Sequence, residues 1–159
     1  MAYEVLITVT GAKQGKFKGG VTQKGREGKI RAIAVTYGVS SPRDPASGLA
    51  TGRHHEKPVT FSLEWDTSAP QFFAAAFSNE TLSTVVIEYY ANARSGVSKV
   101  DHTVTLKNAS ITDITERYAA KVDGVVDGRD IQTVSVTFQK IEISSSNGTT
   151  AADDWEQNV

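Results

Sequence analysis

Val59-Thr60-Phe61-Ser62-Leu63-Glu64-Trp65 puts Val59, Phe61, Leu63 and Trp65 on one parity and Thr60, Ser62 and Glu64 on the other. Successive side chains of an extended chain point to opposite faces, so this stretch is a strand with one face in a core and one toward water. Shortly after it, the alternation breaks. Ser68-Ala69-Pro70-Gln71 leads into Phe72, Phe73, Ala76 and Phe77, which fall at helical spacing. Ser68 and Gln71 have capping-box spacing, and Pro70 lies in the first turn, where its missing N–H costs nothing. The reading is a half-buried strand followed by one short helix that docks through Phe72, Phe73 and Phe77.

The same alternation recurs along the chain. Tyr3, Val5, Ile7 and Val9 share a parity; so do Ile33, Val35, Tyr37 and Val39. Val100, His102, Val104 and Leu106 repeat it, as do Val134, Val136 and Phe138. After Phe138 the apolar parity shifts to Ile141 and Ile143, which predicts a twist or bulge there. Residues 82–91 are apolar on both parities and read as a strand covered on both faces. The expected fold is mainly β, a barrel or sandwich of about seven to eight strands with one flanking helix. Residues 40–56 carry almost no large apolar side chain and read as an extended loop, and loops of that length are usually functional. Residues 145–159 read as a polar tail that becomes acidic around Trp155.

A chain of 159 residues suits a single domain, here 1–159, and can bury a core without staples. It has no cysteine, which excludes disulfides and thiolate metal sites. A formal net charge of −1 gives no overall attraction to nucleic acid or to a membrane surface. No apolar run approaches the roughly 18 residues of a membrane span. The first residues, Met1-Ala2-Tyr3-Glu4-Val5-Leu6-Ile7, lack the basic start and length of a signal peptide. Assembly in the cytoplasm is expected, with any export by a route other than the general secretory one.

The residues that could carry chemistry do not converge. His54 and His55 are adjacent and point to opposite sides of an extended chain, so they cannot easily chelate one ion. His102 shares the apolar parity of its strand and reads as a core histidine, with Asp101 facing away from it. No Gly-x-Ser-x-Gly elbow is present. Residues 11–16 are one residue short of a phosphate loop, and Phe17 stands where Ser or Thr would hold magnesium, so they read as a hairpin. Asn79, Asn108 and Asn147 head glycosylation triplets that carry no meaning without a secretory signal. No enzyme activity, metal or cofactor is expected. Residues 11–31 are basic, with Lys13, Lys16, Lys18, Lys24, Arg26, Lys29 and Arg31 against Glu27. They read first as a solvated connection. The sharper reading makes Lys16 and Lys18 contacts for an acidic surface such as another copy's Asp153, Asp154 and Glu156.

From Thr36 the chain runs Thr-Tyr-Gly-Val-Ser-Ser-Pro-Arg-Asp-Pro-Ala-Ser-Gly-Leu-Ala-Thr-Gly-Arg-His-His-Glu-Lys-Pro-Val-Thr-Phe. This stretch resembles the signature loop of the Hcp family, the tube proteins of type VI secretion. Asp66, Ser68 and Pro70 match the family's acidic residue and helix start. Residues 104–111 resemble its late strand entering an Asn-Ala turn, and residues 136–141 its last core strand. The terminal Gln157-Asn158-Val159 also matches. The chain departs from the pattern at Glu56, at Leu63-Glu64-Trp65-Asp66 and in its long basic segment.

The resemblance implies a β-barrel with a flanking helix that closes into homohexameric rings. The rings would stack as a tube inside a sheath, with spike and effector proteins as further partners. The long loop is expected to reach a neighbouring subunit or ring. That makes Ser41, Pro42, Arg43, Asp44, Ser47, Gly48, Thr51, Gly52, Arg53 and His55 contact candidates. The other readings are a tail-tube protein of a phage or phage-like particle and a ligand-binding or enzymatic β-barrel.

Overall fold

Alternating stretches of this kind must pair or leave a row of backbone N–H and C=O groups unsatisfied, and here they pair around a closed circuit. The computed structural model describes residues 4–92, 96–118 and 130–154. In chain order the elements are β1 (Glu4–Gly11), β2 (Gly15–Lys16), β3 (Ile30–Thr36), β4 (Val39–Ser40), β5 (His55–Glu56), β6 (Val59–Glu64), α1 (Ala69–Ser78), β7 (Leu82–Asn92), β8 (Ser98–Tyr118), β9 (Asp130–Thr137), β10 (Lys140–Ser145) and β11 (Thr150–Asp154). The antiparallel order β8-β7-β1-β3-β6-β9 closes on itself through a β8–β9 pairing. The protein is thus a mainly β fold built on a closed barrel, with one short helix among the described residues. Tyr3 and the end of the tail, Trp155 to Val159, lie outside the described residues.

The strand of the opening stretch sits as expected: Val59, Phe61 and Leu63 are buried and Glu64 is exposed. Trp65 is not part of that face. β6 ends at Glu64, and Trp65 is 45% exposed. Ile33 also departs from its expected face. The pairing of β3 with β6 shifts between Ala32 and Ala34, and such a bulge hands the core face from one parity to the other. Ile30 and Ala32 therefore face inward before it, Val35 after it, and Ile33 is 46% exposed.

The parity shift after Phe138 has a similar cause. β9 and β10 meet the 21-residue β8 in one register on either side of Phe138 and Gln139, with Ser110 opposite Thr137 and Lys107 opposite Lys140, and the β8–β9 register shifts further along, between Ile111 and Asp113. Opposite the gap, Asn108 takes a left-handed φ of 50° and its side-chain amide donates to Gln139 Oε1 at 2.7 Å. The Asn-Ala step read as a turn is instead a kink inside a continuous strand. Asn tolerates that conformation better than most residues.

The barrel interior is apolar and fully closed, with Ile7, Val9, Ile87, Val104, Leu106, Val134 and Val136 all buried. Phe72 of α1 packs edge-on against Phe17 and Phe61, with centroids 5.0 and 5.8 Å away. Buried Gln132 of β9 donates to the Ala69 carbonyl at 3.1 Å, tying the helix start to the wall. The expected capping box does not form. Ser68 makes no side-chain cap bond; its hydroxyl donates to Asp66 Oδ1, which also accepts the Ser68 N–H at 2.8 Å. An acceptor two residues away outcompetes the cap, and Gln71 Oε1 accepts the Lys18 N–H at 2.8 Å instead.

A second apolar cluster, Leu6, Val21 and Tyr90, lies apart from the main core. Here the segment after β2 folds back on itself. Gly19 N–H donates to the Gly28 carbonyl at 2.9 Å, and a Cβ on Gly19 would stand 2.1 Å from the Lys29 carbonyl oxygen, so only glycine allows the crossing. Residues 145–154 are not simply a tail: β10 and β11 form a hairpin, with Ile143 opposite Ala151 and Ile141 opposite Asp153. Small Ala151 and Ala152 hide that strand from a hydrophobic count. Among the described residues β11 pairs only with β10, which makes it an edge beyond the closed barrel.

Candidate functional site

Three surface regions stand apart from the core. The first is the segment read as a long loop, which is an arm. At its base β4 pairs with β5, Val39 opposite Glu56 and Ser40 opposite His55, and an isolated bridge joins Arg43 to Ala50. Its tip is held by local polar bonds. Asp44 accepts from the Ala46 N–H at 3.0 Å and the Ser47 hydroxyl at 2.7 Å, and Gly48, at φ 72°, donates to the Asp44 carbonyl. The Ser47 hydroxyl, then the Ala46 N–H, hold the Asp44 carboxyl below its ordinary range. Of residues 40–55, Pro42 and Asp44 are half-buried and the others are exposed. The candidates Ser41, Arg43, Ser47, Gly48, Thr51, Gly52, Arg53 and His55 are therefore all presented to solvent.

The second region is a row of aromatic rings. Trp65 lies 6.4 Å from Phe73, and Phe73 lies 6.1 Å from Phe77. Phe77 is 83% exposed. Only Phe72 of the three expected anchors is fully buried. The buried stripe of α1 is Ala69, Phe72 and Ala75, spaced three apart, while Phe73 and Phe77 are spaced four apart on another side. An i, i+4 pair of rings looks like a core face in sequence; here it faces outward.

The third region is the basic segment. Arg26 bridges Glu4 at 3.1 Å and lies 3.8 Å above the Tyr90 ring. Lys29 meets Glu88 at 2.5 Å, and Arg31 meets Glu4 at 2.7 Å. Three of the segment's seven basic residues thus hold it to its own barrel. Lys16 and Lys18 are exposed on either side of buried Phe17. The residues 11–16 form the expected hairpin, and its turn is held by buried Glu80, which accepts the Lys13 and Gln14 N–H groups at 3.1 and 2.9 Å.

The histidines differ from expectation. His102 is half-buried rather than core; it stacks on Tyr89 at 4.0 Å, and Asp101 turns back to reach its Nδ1 at 2.8 Å. His54 Nε2 lies 2.7 Å from Asp153 of β11. Glu56 joins them, so that one ligating atom from each of His54, Glu56 and Asp153 lies within 4.8 Å of the others. Burial, then the adjacent Asp153 carboxyl, pushes Glu56 up to about 7, against a smaller pull from His54. The alternation that separates His54 from His55 brings His54 and Glu56 to one side. The third member, 99 residues away, leaves no local signal.

The family model described as "Type VI secretion system effector, Hcp" matches residues 7–144 of this chain. The chain belongs to the Hcp family. The "Major exported protein" of Pseudomonas aeruginosa is 30% identical over 170 aligned residues, covering 100% of this chain and 99% of that protein. A solved structure of an Hcp protein superposes with a TM-score of 0.87 at 28% identity, covering 97% of this chain and 98% of the other. Secreted protein Hcp3 from Pseudomonas aeruginosa gives 0.79 at 26% identity, covering 97% and 99%. Hcp is a family of structural type VI secretion proteins rather than of enzymes.

Proposed function

We propose that this chain is the tube subunit of a type VI secretion machine, forming homohexameric rings that stack and carry effector proteins to a target cell. It would assemble in the cytoplasm and be exported by that machine, with sheath and spike proteins as its other partners. Family membership supports the reading, and the exposed aromatic row is the observation that carries it on this chain. Trp65 and Phe77 leave large apolar surface in water on a protein whose core is otherwise well closed. Contiguous exposed apolar surface of this kind marks contact with another protein. A heterologous contact repeated around an axis closes a ring. The row and the β11 edge are assigned to contacts within a ring, and the arm to contact with a neighbouring subunit or ring. Lys16 and Lys18 would meet acidic groups of another copy, a contact that salt screens.

Negative-stain microscopy of the purified wild type and of Phe77→Asp tests the assignment. The wild type should show rings, and the variant should show few rings at unchanged circular dichroism. Rings unaffected by Phe77→Asp would remove the aromatic row from the interface.

A further inference from the structure

His54, Glu56 and Asp153 come from two separate elements, the foot of the arm and the last described strand, and converge on one point. We propose that they form a binding site for one divalent transition-metal ion of the zinc class, which clamps the base of the arm to β11. The site stands on the single chain's own geometry and does not depend on ring assembly.

The donor set selects the ion class. One imidazole nitrogen with two carboxylate oxygens suits zinc and its first-row neighbours, whereas magnesium and calcium favour all-oxygen shells. Zinc–ligand bonds of about 2.0–2.2 Å put tetrahedral ligand atoms about 3.4 Å apart. The three atoms already lie within 4.8 Å of one another, so small rotations of exposed His54 and half-buried Glu56 and Asp153 would close the remaining distance. A fourth position is left for water. Two carboxyl groups brought into contact at one point repel when both are charged, and a bound cation removes that repulsion. The neighbouring surface helps. Tyr37, Phe138, Ile141, Ile143 and Ala151 line an adjoining cavity of about 450 Å³ whose edge includes all three ligands, so the ion would sit against an apolar wall on one side. Such a wall strengthens the charge interaction relative to open water.

β4 and β5 pair with each other, and the Lys57 N–H donates to the Gly38 carbonyl at 2.9 Å. An ion bridging His54 and Glu56 to Asp153 would fix the direction in which the arm leaves the barrel.

Titration calorimetry with zinc chloride on the full chain, with magnesium chloride in parallel, is the test. Zinc should bind with one site per chain, more tightly than magnesium. His54→Ala and Asp153→Asn should each weaken it by about 10–100-fold or more, since removing groups that merely support a ligand already costs that much. His55→Ala and His102→Ala should leave it unchanged, and all four side chains lie at least partly in solvent, so circular dichroism should stay native. Cobalt(II) should give the absorption of a low-coordinate site, lost in His54→Ala. The proposal is overturned by no saturable zinc binding, by magnesium binding as tightly, by binding that survives either His54→Ala or Asp153→Asn, or by binding that fails with His102→Ala.

Discussion

The barrel and the arm are neighbours in one chain but are held by different forces. In the barrel, Val59 faces Val136 and Phe61 faces Val134 across β6 and β9 in a buried interior, and Phe72 seats the helix on the same core. In the arm, the order comes from Asp44, Ser47 and Gly48 bonding locally in water. Leu49, 68% exposed, shows that the arm buries almost nothing of its own. Burial of an apolar side chain contributes about 1.5–3 kcal/mol, while a solvated hydrogen bond contributes about 0.5–1.5 kcal/mol net. A region of the first kind tolerates little change in shape. A region of the second kind can be reshaped for a partner at small cost to the fold.

Phe72→Ala should produce the largest loss, because it removes a buried ring from contact with Phe17 and Phe61. The expected cost is about 3–5 kcal/mol, read from the urea midpoint. A cost similar to that of an exposed site would erase the distinction between the two regions.

Glu80→Gln should come next. It sits where the barrel is polar, and its carboxylate also accepts the Gln14 side-chain amide at 3.3 Å. Burial works against ionisation, but the Gln14 and Lys13 N–H groups and the Lys13 charge hold its carboxyl below the ordinary value. A carboxyl lowered on folding adds stability that is complete above its unfolded value and is lost as pH falls through its folded value. The variant should lose about 1–3 kcal/mol near neutral pH, and the gap to the wild type should shrink as pH falls below the ordinary carboxylate range of about 4. A gap independent of pH would show that the charge does not matter.

Replacing residues 40–56 with a short Gly/Ser linker should have the smallest effect on folding. Surface changes away from packed groups usually stay within about 0.5 kcal/mol, and the thermal midpoint should move by only a few degrees. Stacking should weaken while the barrel stays folded. Global unfolding would make the arm part of the core.

The same contrast decides what could be read in the sequence. β6 was legible because Val59, Phe61 and Leu63 alternate with Thr60 and Ser62 without interruption. Ile33 was misplaced because a bulge is a property of two paired strands and not of one. β11 was missed because Ala151 and Ala152 carry too little apolar surface to show a period. Phe77 reads as a core residue because helical spacing identifies a stripe but not which stripe turns inward. The arm's exposure followed from its composition, and the resemblance to Hcp proteins rested on that arm. The cluster of His54, Glu56 and Asp153 could not be read at all, since it depends on β11 returning to the arm's foot.

Light scattering coupled to size exclusion at micromolar concentration tests the tube-subunit reading most directly. The expected species is a hexamer of the 17.1 kDa chain, unchanged on moderate dilution. A single species at 17.1 kDa across the same range would contradict it, and the exposed aromatic row would then need another partner.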